Sequence, residues 1–192
     1  MKYLGLVVLF VYGAAHADGG RIGLEYESEK DNKTGMMNEA VTVKPGWEFS
    51  EDSLINLVEL LIDRNQDTNA DTSGLRARET KFFVRVRHNR NFNESIGYYI
   101  RGGAGRSINN QQNFSYGYIE PGLKYKVNEK WDWTLAFREI NSIDGTDGQH
   151  VRKYITGPSY SLDKNNELEF RYIKGYGNKN LESWQVGYTH KF

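Results

Sequence analysis

The sequence predicts an all-β fold, a transmembrane antiparallel up-and-down β-barrel of about ten strands (roughly 8–12). Three observations predict it. The last stretch of the chain alternates apolar and polar residues up to Phe192, the connections between strand-like segments alternate between short and long, and the N-terminus resembles an export signal. A soluble β-sandwich also alternates along each strand, but it does not explain these three features together.

The last stretch, residues 181–192, is a strand with one apolar face. From Trp184 onward every second residue is apolar or aromatic except His190, and the residues between are small or polar. This period of two places the aromatic residues on one side of a strand. The pattern resembles the C-terminal strand of Gram-negative outer-membrane β-barrels, which the insertion machinery reads. The resemblance implies an insertion signal made of Trp184, Val186, Tyr188 and Phe192.

The N-terminus predicts a secretory signal peptide over residues 1–17. Lys2 supplies a basic start, an apolar run follows, and Ala15-His16-Ala17 is a small-residue cleavage site. The run is too short for a spanning helix. We therefore expect residues 18–192 to form the barrel domain, located in the outer membrane of a Gram-negative cell after cleavage.

Ten strand-like segments follow the signal. They cover residues 21–28, 38–49, 54–63, 77–88, 95–105, 115–127, 131–140, 151–161, 168–175 and 183–192. Polar turns follow the second, fourth, sixth and eighth segments, whereas longer loops rich in Gly, Asn and Asp follow the first, third, fifth and seventh. Short turns on one side and long loops on the other are typical of a transmembrane barrel. Pro45, Pro121 and Pro158 each remove a ladder donor, so we expect bulges beside them.

With the aromatic face outward, the alternation turns charged side chains into the lumen. Carboxylates predominate in the first three segments, and lysines and arginines in the fourth to eighth. The predicted pore-lining residues are Lys81, Arg85, Arg87, Arg101, Lys124, Lys126, Arg138, Lys153 and Arg171.

Two interpretations of this lumen remain open. An uncompensated basic wall would line a narrow channel and favour anions. Acids and bases that pair with one another would instead plug a narrow barrel. Inward glycines leave space and favour some open lumen: Gly97, Gly103, Gly105, Gly122, Gly157 and Gly187.

Part of the chain is similar to a known family of channels. The stretch from Tyr118 to Trp131 resembles a unit of the small monomeric oligogalacturonate- and sialic-acid-specific porins, and so do Arg85-x-Arg87 and the inward Arg101, Arg138 and Arg171. The resemblance implies a narrow monomeric barrel in which facing rows of basic side chains pass acidic oligosaccharides.

Catalysis is a weaker alternative. His150 is the one histidine near the predicted long-loop rim, and Asp144 and Asp147 precede it, so a rim Asp/His pair in a barrel hydrolase is the enzymatic hypothesis. A solvated loop explains the same residues. The sequence has no cysteine and no phosphate-loop, zinc or nucleophile-elbow motif. We therefore predict no enzyme activity, no cofactor and no metal site.

The function predicted from the sequence is a porin-like channel that passes small polar or acidic solutes. The alternative is a plugged structural or adhesive barrel with surface-binding loops. The expected partners are outer-membrane lipid, lipopolysaccharide, the barrel-assembly machinery and small polar or anionic solutes. The net charge of zero implies no general surface for nucleic acid.

Overall fold

The computed structural model describes residues 18–67, 78–109, 113–145, 150–177 and 180–192. These form ten β-strands, and the predicted signal peptide lies outside the described residues. In chain order the strands are β1 (Gly19–Asp31), β2 (Met37–Glu48), β3 (Leu57–Asp67), β4 (Arg78–Asn91), β5 (Ile96–Asn109), β6 (Phe114–Lys126), β7 (Trp131–Ser142), β8 (Val151–Ser161), β9 (Asn166–Gly177) and β10 (Leu181–Lys191). No helix in the described ranges is long and apolar enough to cross a membrane.

The strands close into an antiparallel up-and-down barrel. Every strand pairs with its neighbours in the chain, and β1 closes the barrel by pairing with β10, from Arg21 opposite Lys191 to Asp31 opposite Leu181. Closure leaves no free sheet edge, which a barrel needs in a lipid environment because unpaired backbone groups find no water there. The predicted fold class and strand number are confirmed.

Three of the four short turns have the same hydrogen-bonding pattern. In each of the three, a side-chain oxygen accepts hydrogen bonds from the backbone N–H groups of the second and third residues after it; the oxygens belong to Asn93, Asn128 and Asp163. This is the Asx turn that Asn and Asp favour. The amide of Asn166 also donates to Asp163, and these hydrogen bonds hold the pKa of that exposed carboxyl below its usual range. Local sequence therefore determines the short-turn end of the barrel.

The two faces of the wall have opposite character to those of a soluble protein. Large apolar side chains such as Leu24, Val41 and Leu135 are exposed on the outer face, whereas polar or charged ones such as Lys44, Glu120 and Thr189 are buried inside. An apolar outer band around a polar interior is the arrangement of a transmembrane barrel. All the tryptophans in the strands, Trp47, Trp131, Trp133 and Trp184, alternate with inward residues and lie on the outer face.

The inward glycines do not leave the open space that the sequence predicts. A Cβ added to Gly103 or Gly105 would lie within 2.8 Å of the Phe83 ring, and one on Gly122 would lie 2.3 Å from Tyr99 Cζ. These glycines let an aromatic ring lie flat against the inside of the wall. Phe83 then stacks on Tyr116 and Tyr118, at centroid distances of 5.3 and 4.8 Å.

The prolines do not create bulges. Beside Pro45 the pairing of β2 with β3 lapses between Val43–Ile62 and Gly46–Glu59, yet both strands advance by the same number of residues. The same interruption without a register shift occurs at Pro121 on β6 and at Pro158 on β8. On the other side each proline keeps its ladder partner. The strand pairing therefore tolerates the missing proline N–H on one side of the strand without a bulge.

Candidate functional site: the barrel lumen

Glu120 on β6 is the centre of an ion-paired cluster in the described lumen. Its side chain has no exposed surface. One of its oxygens accepts a hydrogen bond from Nε of Arg101 on β5, and the other accepts one from Nε of Arg138 on β7 at 2.5 Å. Tyr99 donates its hydroxyl to the same carboxylate at 2.9 Å. Alternation along three adjacent strands brings these side chains together because all of them point inward at neighbouring register positions.

A second buried carboxylate, Glu59 on β3, pairs with two arginines. Arg85 on β4 donates from Nε at 2.8 Å and from Nη2 at 2.5 Å, and Arg21 Nε lies 3.6 Å away. Arg21 also donates to Glu48 at 3.0 Å. Removing a single partner from such a buried network leaves an uncompensated charge, so each member depends on the others.

Nearer the long loops the pairs are partly exposed. Lys81 Nζ lies 2.9 Å from Glu79 and 4.0 Å from Asp63, with 27 % of the Lys81 side chain accessible. Lys153 Nζ lies 2.9 Å from Glu29. Lys81 therefore borders space that water can enter, whereas the pair of Lys153 and Glu29 is largely shielded, with 11 % and 17 % of the two side chains accessible.

Arg171 on β9 is held against the barrel wall. Its Nη1 donates to the carbonyl oxygens of Gly157, Pro158 and Phe170 at 3.1, 2.8 and 2.9 Å. Its Nη2 lies 3.5 Å from Glu169. Arg171 is buried and its guanidinium donates to backbone oxygens. It therefore contributes little to the electrostatic potential in the water-accessible part of the lumen.

The three other predicted pore-lining cations are different. Arg87, Lys124 and Lys126 line a cavity of about 320 Å³ at the short-turn end of the barrel. None of them forms an ion pair with a described residue, and Nε of Arg87 is buried without a hydrogen-bond partner. We call this cavity the vestibule. Asn89, Asn91 and Tyr99 also line it, together with the carboxylates of Glu51, Glu94 and Asp132.

The structure thus brings together all nine predicted cations inside the barrel, but it neutralises six of them. Two of the carboxylates that neutralise these cations, Glu29 and Glu79, could not be recognised from the sequence. Glu29 falls in a predicted loop, and the sequence pattern did not assign Glu79 to the inner or the outer face of its strand. The sequence prediction also missed the inward aromatic residues, which the same alternation contains: Phe83, Tyr99, Phe114, Tyr116 and Tyr118.

The residues of the predicted insertion signal all lie on the outside. Trp184, Val186 and Tyr188 are exposed on the outer face of β10, and Phe192 follows the strand. The backbone N–H of Phe192 donates to Gly20 at 2.9 Å, which ties the last residue to β1. The signal itself stays a prediction.

Among the described residues, the rim histidine lies next to Glu139. His150 Nε2 lies 3.0 Å from Glu139 Oε1, while Asp144 accepts hydrogen bonds from the Ser142 hydroxyl at 2.8 Å and from the Ser115 backbone at 2.5 Å. Asp147 lies outside the described residues. Within the described part of the chain, no three His, Asp or Glu side chains are grouped as metal ligands would be.

Comparisons with known proteins bear on the fold. No protein-family model matches the sequence, and no curated protein sequence matches it either. Among solved structures, an outer-membrane channel from Pseudomonas putida F1 has a TM-score of 0.58 at 9 % identity, covering 91 % of this chain and 95 % of that one. The β domain of the Bordetella autotransporter BrkA has a TM-score of 0.57 at 8 % identity, covering 90 % of this chain and 98 % of that one.

A porin, NanC, has a TM-score of 0.52 at 8 % identity, covering 88 % of this chain and all of its own length. The chain has the fold of a small outer-membrane β-barrel. At such identities the likeness concerns the fold alone, and it includes both channels and an autotransporter domain. The function must therefore be inferred from the side chains that point into the lumen.

Proposed function

We propose that the protein is a porin-like channel of the outer membrane that passes small polar or acidic solutes through a narrow lumen with a basic wall. The observation that carries this proposal is the set of ionised side chains that point into a closed barrel and keep contact with water-accessible space. Arg101 and Arg138 each retain 18 % side-chain exposure although both are ion-paired. An interior that served only to fill the barrel would leave such groups dry.

The ion pairs define how selective such a channel is. Six of the nine cations have a carboxylate within 4.0 Å, so the wall is not a bare positive surface. Rings of fixed charge select ions in proportion to the charge left uncompensated. We therefore expect a weak anion preference, contributed by the unpaired cations of the vestibule.

A plugged structural barrel is the second candidate, and one observation favours it. Tyr99, Ala136, Ile155 and Ile173 form an apolar cluster inside the barrel, and each is no more than 6 % exposed. Together with the buried pairs of Glu59 and Glu120, this cluster fills part of the cross-section. In this alternative the ion pairs close the lumen permanently.

Swelling of proteoliposomes distinguishes the two functions. Refolded protein is incorporated into vesicles, which are diluted into isotonic arabinose, glucose, gluconate or raffinose. A narrow channel predicts fast swelling in the smaller solutes and none in raffinose. Swelling no faster than that of protein-free vesicles in every solute, from protein whose gel mobility is heat-modifiable, would establish the plugged barrel.

The setting of the channel is part of the same proposal. The outer face offers an apolar band with exposed Trp131, Trp133 and Trp184, as residues at a membrane interface do. We propose that outer-membrane lipid and lipopolysaccharide surround this band and that the barrel-assembly machinery recognises the β10 face. Fractionation of cells that express the protein, followed by detection in outer-membrane vesicles, tests the location.

A further inference from the structure

We infer that the vestibule at the short-turn end is a binding site for a small oxyanion, one that carries a carboxylate or phosphate group. Arg87 is its anchor and Lys124 and Lys126 supply further positive charge. The site lies at the mouth of the barrel, so binding there needs no passage through the lumen and does not depend on the proposed channel function.

These cations lack the ion pairs that the rest of the lumen provides. Each of the other six predicted cations has a carboxylate within 4.0 Å, and the three that line the vestibule have none among the described residues. Glu51, Glu94 and Asp132 line the same cavity but form no ion pair with these cations. The three cations therefore remain available to an anion from solution.

Among the described residues, Arg87 has no carboxylate partner of its own. It lies opposite Arg101 in the β4–β5 ladder, and Glu120, which lies opposite Arg101 on β6, pairs with Arg101 and Arg138. Nε of Arg87 is buried and has no hydrogen-bond partner in the described part of the chain. Arg87 also lines the cavity, and a ligand with two oxygens on one atom matches the planar fork of a guanidinium.

The cavity is small and its lining is mostly polar. Its volume of about 320 Å³ suits a small ligand. Side-chain amides of Asn89 and Asn91 offer neutral hydrogen bonds to the rest of a ligand. Glu51, Glu94 and Asp132 also line the cavity, and their negative charge disfavours a large polyanion. The combination fits a small mono- or dianion that is otherwise polar.

Titration calorimetry with inorganic phosphate at low ionic strength tests the site. The full chain, refolded in a non-ionic detergent, is titrated as wild type and as Arg87→Gln and Lys124→Gln. The matched control is Lys164→Gln, which removes one positive charge from the exposed turn between β8 and β9, outside the cavity. Heat-modifiable gel mobility verifies the fold of each variant, and chloride at the same ionic strength serves as the non-oxyanion competitor.

The site predicts saturable binding by the wild type, at least tenfold weaker binding by Arg87→Gln, several-fold weaker binding by Lys124→Gln and unchanged binding by Lys164→Gln. Lack of saturable binding by the wild type would overturn the inference. An equal loss in all three variants would also overturn it, since that result would show a general effect of net charge. Because Lys124→Gln leaves Arg87 and its neighbours in place, it keeps the test valid if Arg87→Gln fails to fold.

Discussion

Lys153 on β8 forms an ion pair with Glu29 on β1, at 2.9 Å between Nζ and Oε2, although two strands of the wall separate β8 from β1. The pair therefore reaches across the inside of the barrel. It shows that carboxylates of the first strands neutralise cations of the later ones.

The cross-lumen pair is tested by a double-mutant cycle of Lys153→Gln and Glu29→Gln. We expect a coupling free energy of about 1 kcal/mol, because both side chains are largely shielded from water and their charges attract. Unfolding in urea, followed by tryptophan fluorescence, measures it. The matched control is the exposed pair of Lys174 and Glu182 on the outer face, 3.7 Å apart, for which a much weaker coupling is expected because water screens it. Equal coupling in both cycles would contradict the assignment.

Replacing Glu120 by glutamine should destabilise the barrel strongly. The change removes the buried carboxylate that Arg101 and Arg138 share. Breaking a buried ion pair costs about 3–5 kcal/mol. The urea midpoint of Glu120→Gln measures the loss against Glu129→Gln, which alters an exposed turn and should stay within about 0.5 kcal/mol of the wild type. A loss below about 1 kcal/mol for Glu120→Gln would mean that solvent compensates these arginines.

Neutralising Arg101 and Arg138 together should shift the ion preference of the lumen toward cations. Without them Glu120 becomes an uncompensated negative charge, and fixed charges in a narrow lumen control which ions enter. The readout is the reversal potential of the Arg101→Gln/Arg138→Gln protein in a salt gradient. Adding Glu120→Gln to that double variant removes the negative charge and should restore the wild-type value. An unchanged reversal potential in the double variant would place these residues away from the ion path.

The contact between Tyr99 and Gly122 predicts a steric penalty. In Gly122→Ala the new Cβ would lie 2.3 Å from Tyr99 Cζ, so the ring would have to move away from Glu120. Overpacking of this kind costs about 1–3 kcal/mol. Gly187→Ala is the control, since its nearest neighbour would be at an ordinary contact distance of 3.6 Å. Equal urea midpoints for the two variants would contradict the close packing.

The sequence predicted the wall of the barrel better than its contents. Alternation with a period of two assigns each residue to one face, so the inward position of the nine cations and the outward position of the tryptophans could be predicted, while the pore-lining role of these cations stays a prediction. Alternation says nothing about which side chains meet across the lumen. The pairing of Lys153 with Glu29 depends on barrel closure. The packing of the Phe83 ring over Gly103 depends on the register between β4 and β5. Both are long-range properties that no local pattern encodes.

The measurement that tests the channel most directly is single-channel current in a planar bilayer, with refolded protein under a potassium chloride gradient. A narrow channel with a basic wall predicts discrete current steps and a reversal potential shifted modestly toward the anion, with the shift reduced in Arg87→Gln/Lys124→Gln. Electrical silence from protein with heat-modifiable gel mobility and a β-type circular dichroism spectrum would contradict it. The ion pairs of Glu59, Glu120 and Lys153 would then be the plug of a structural barrel.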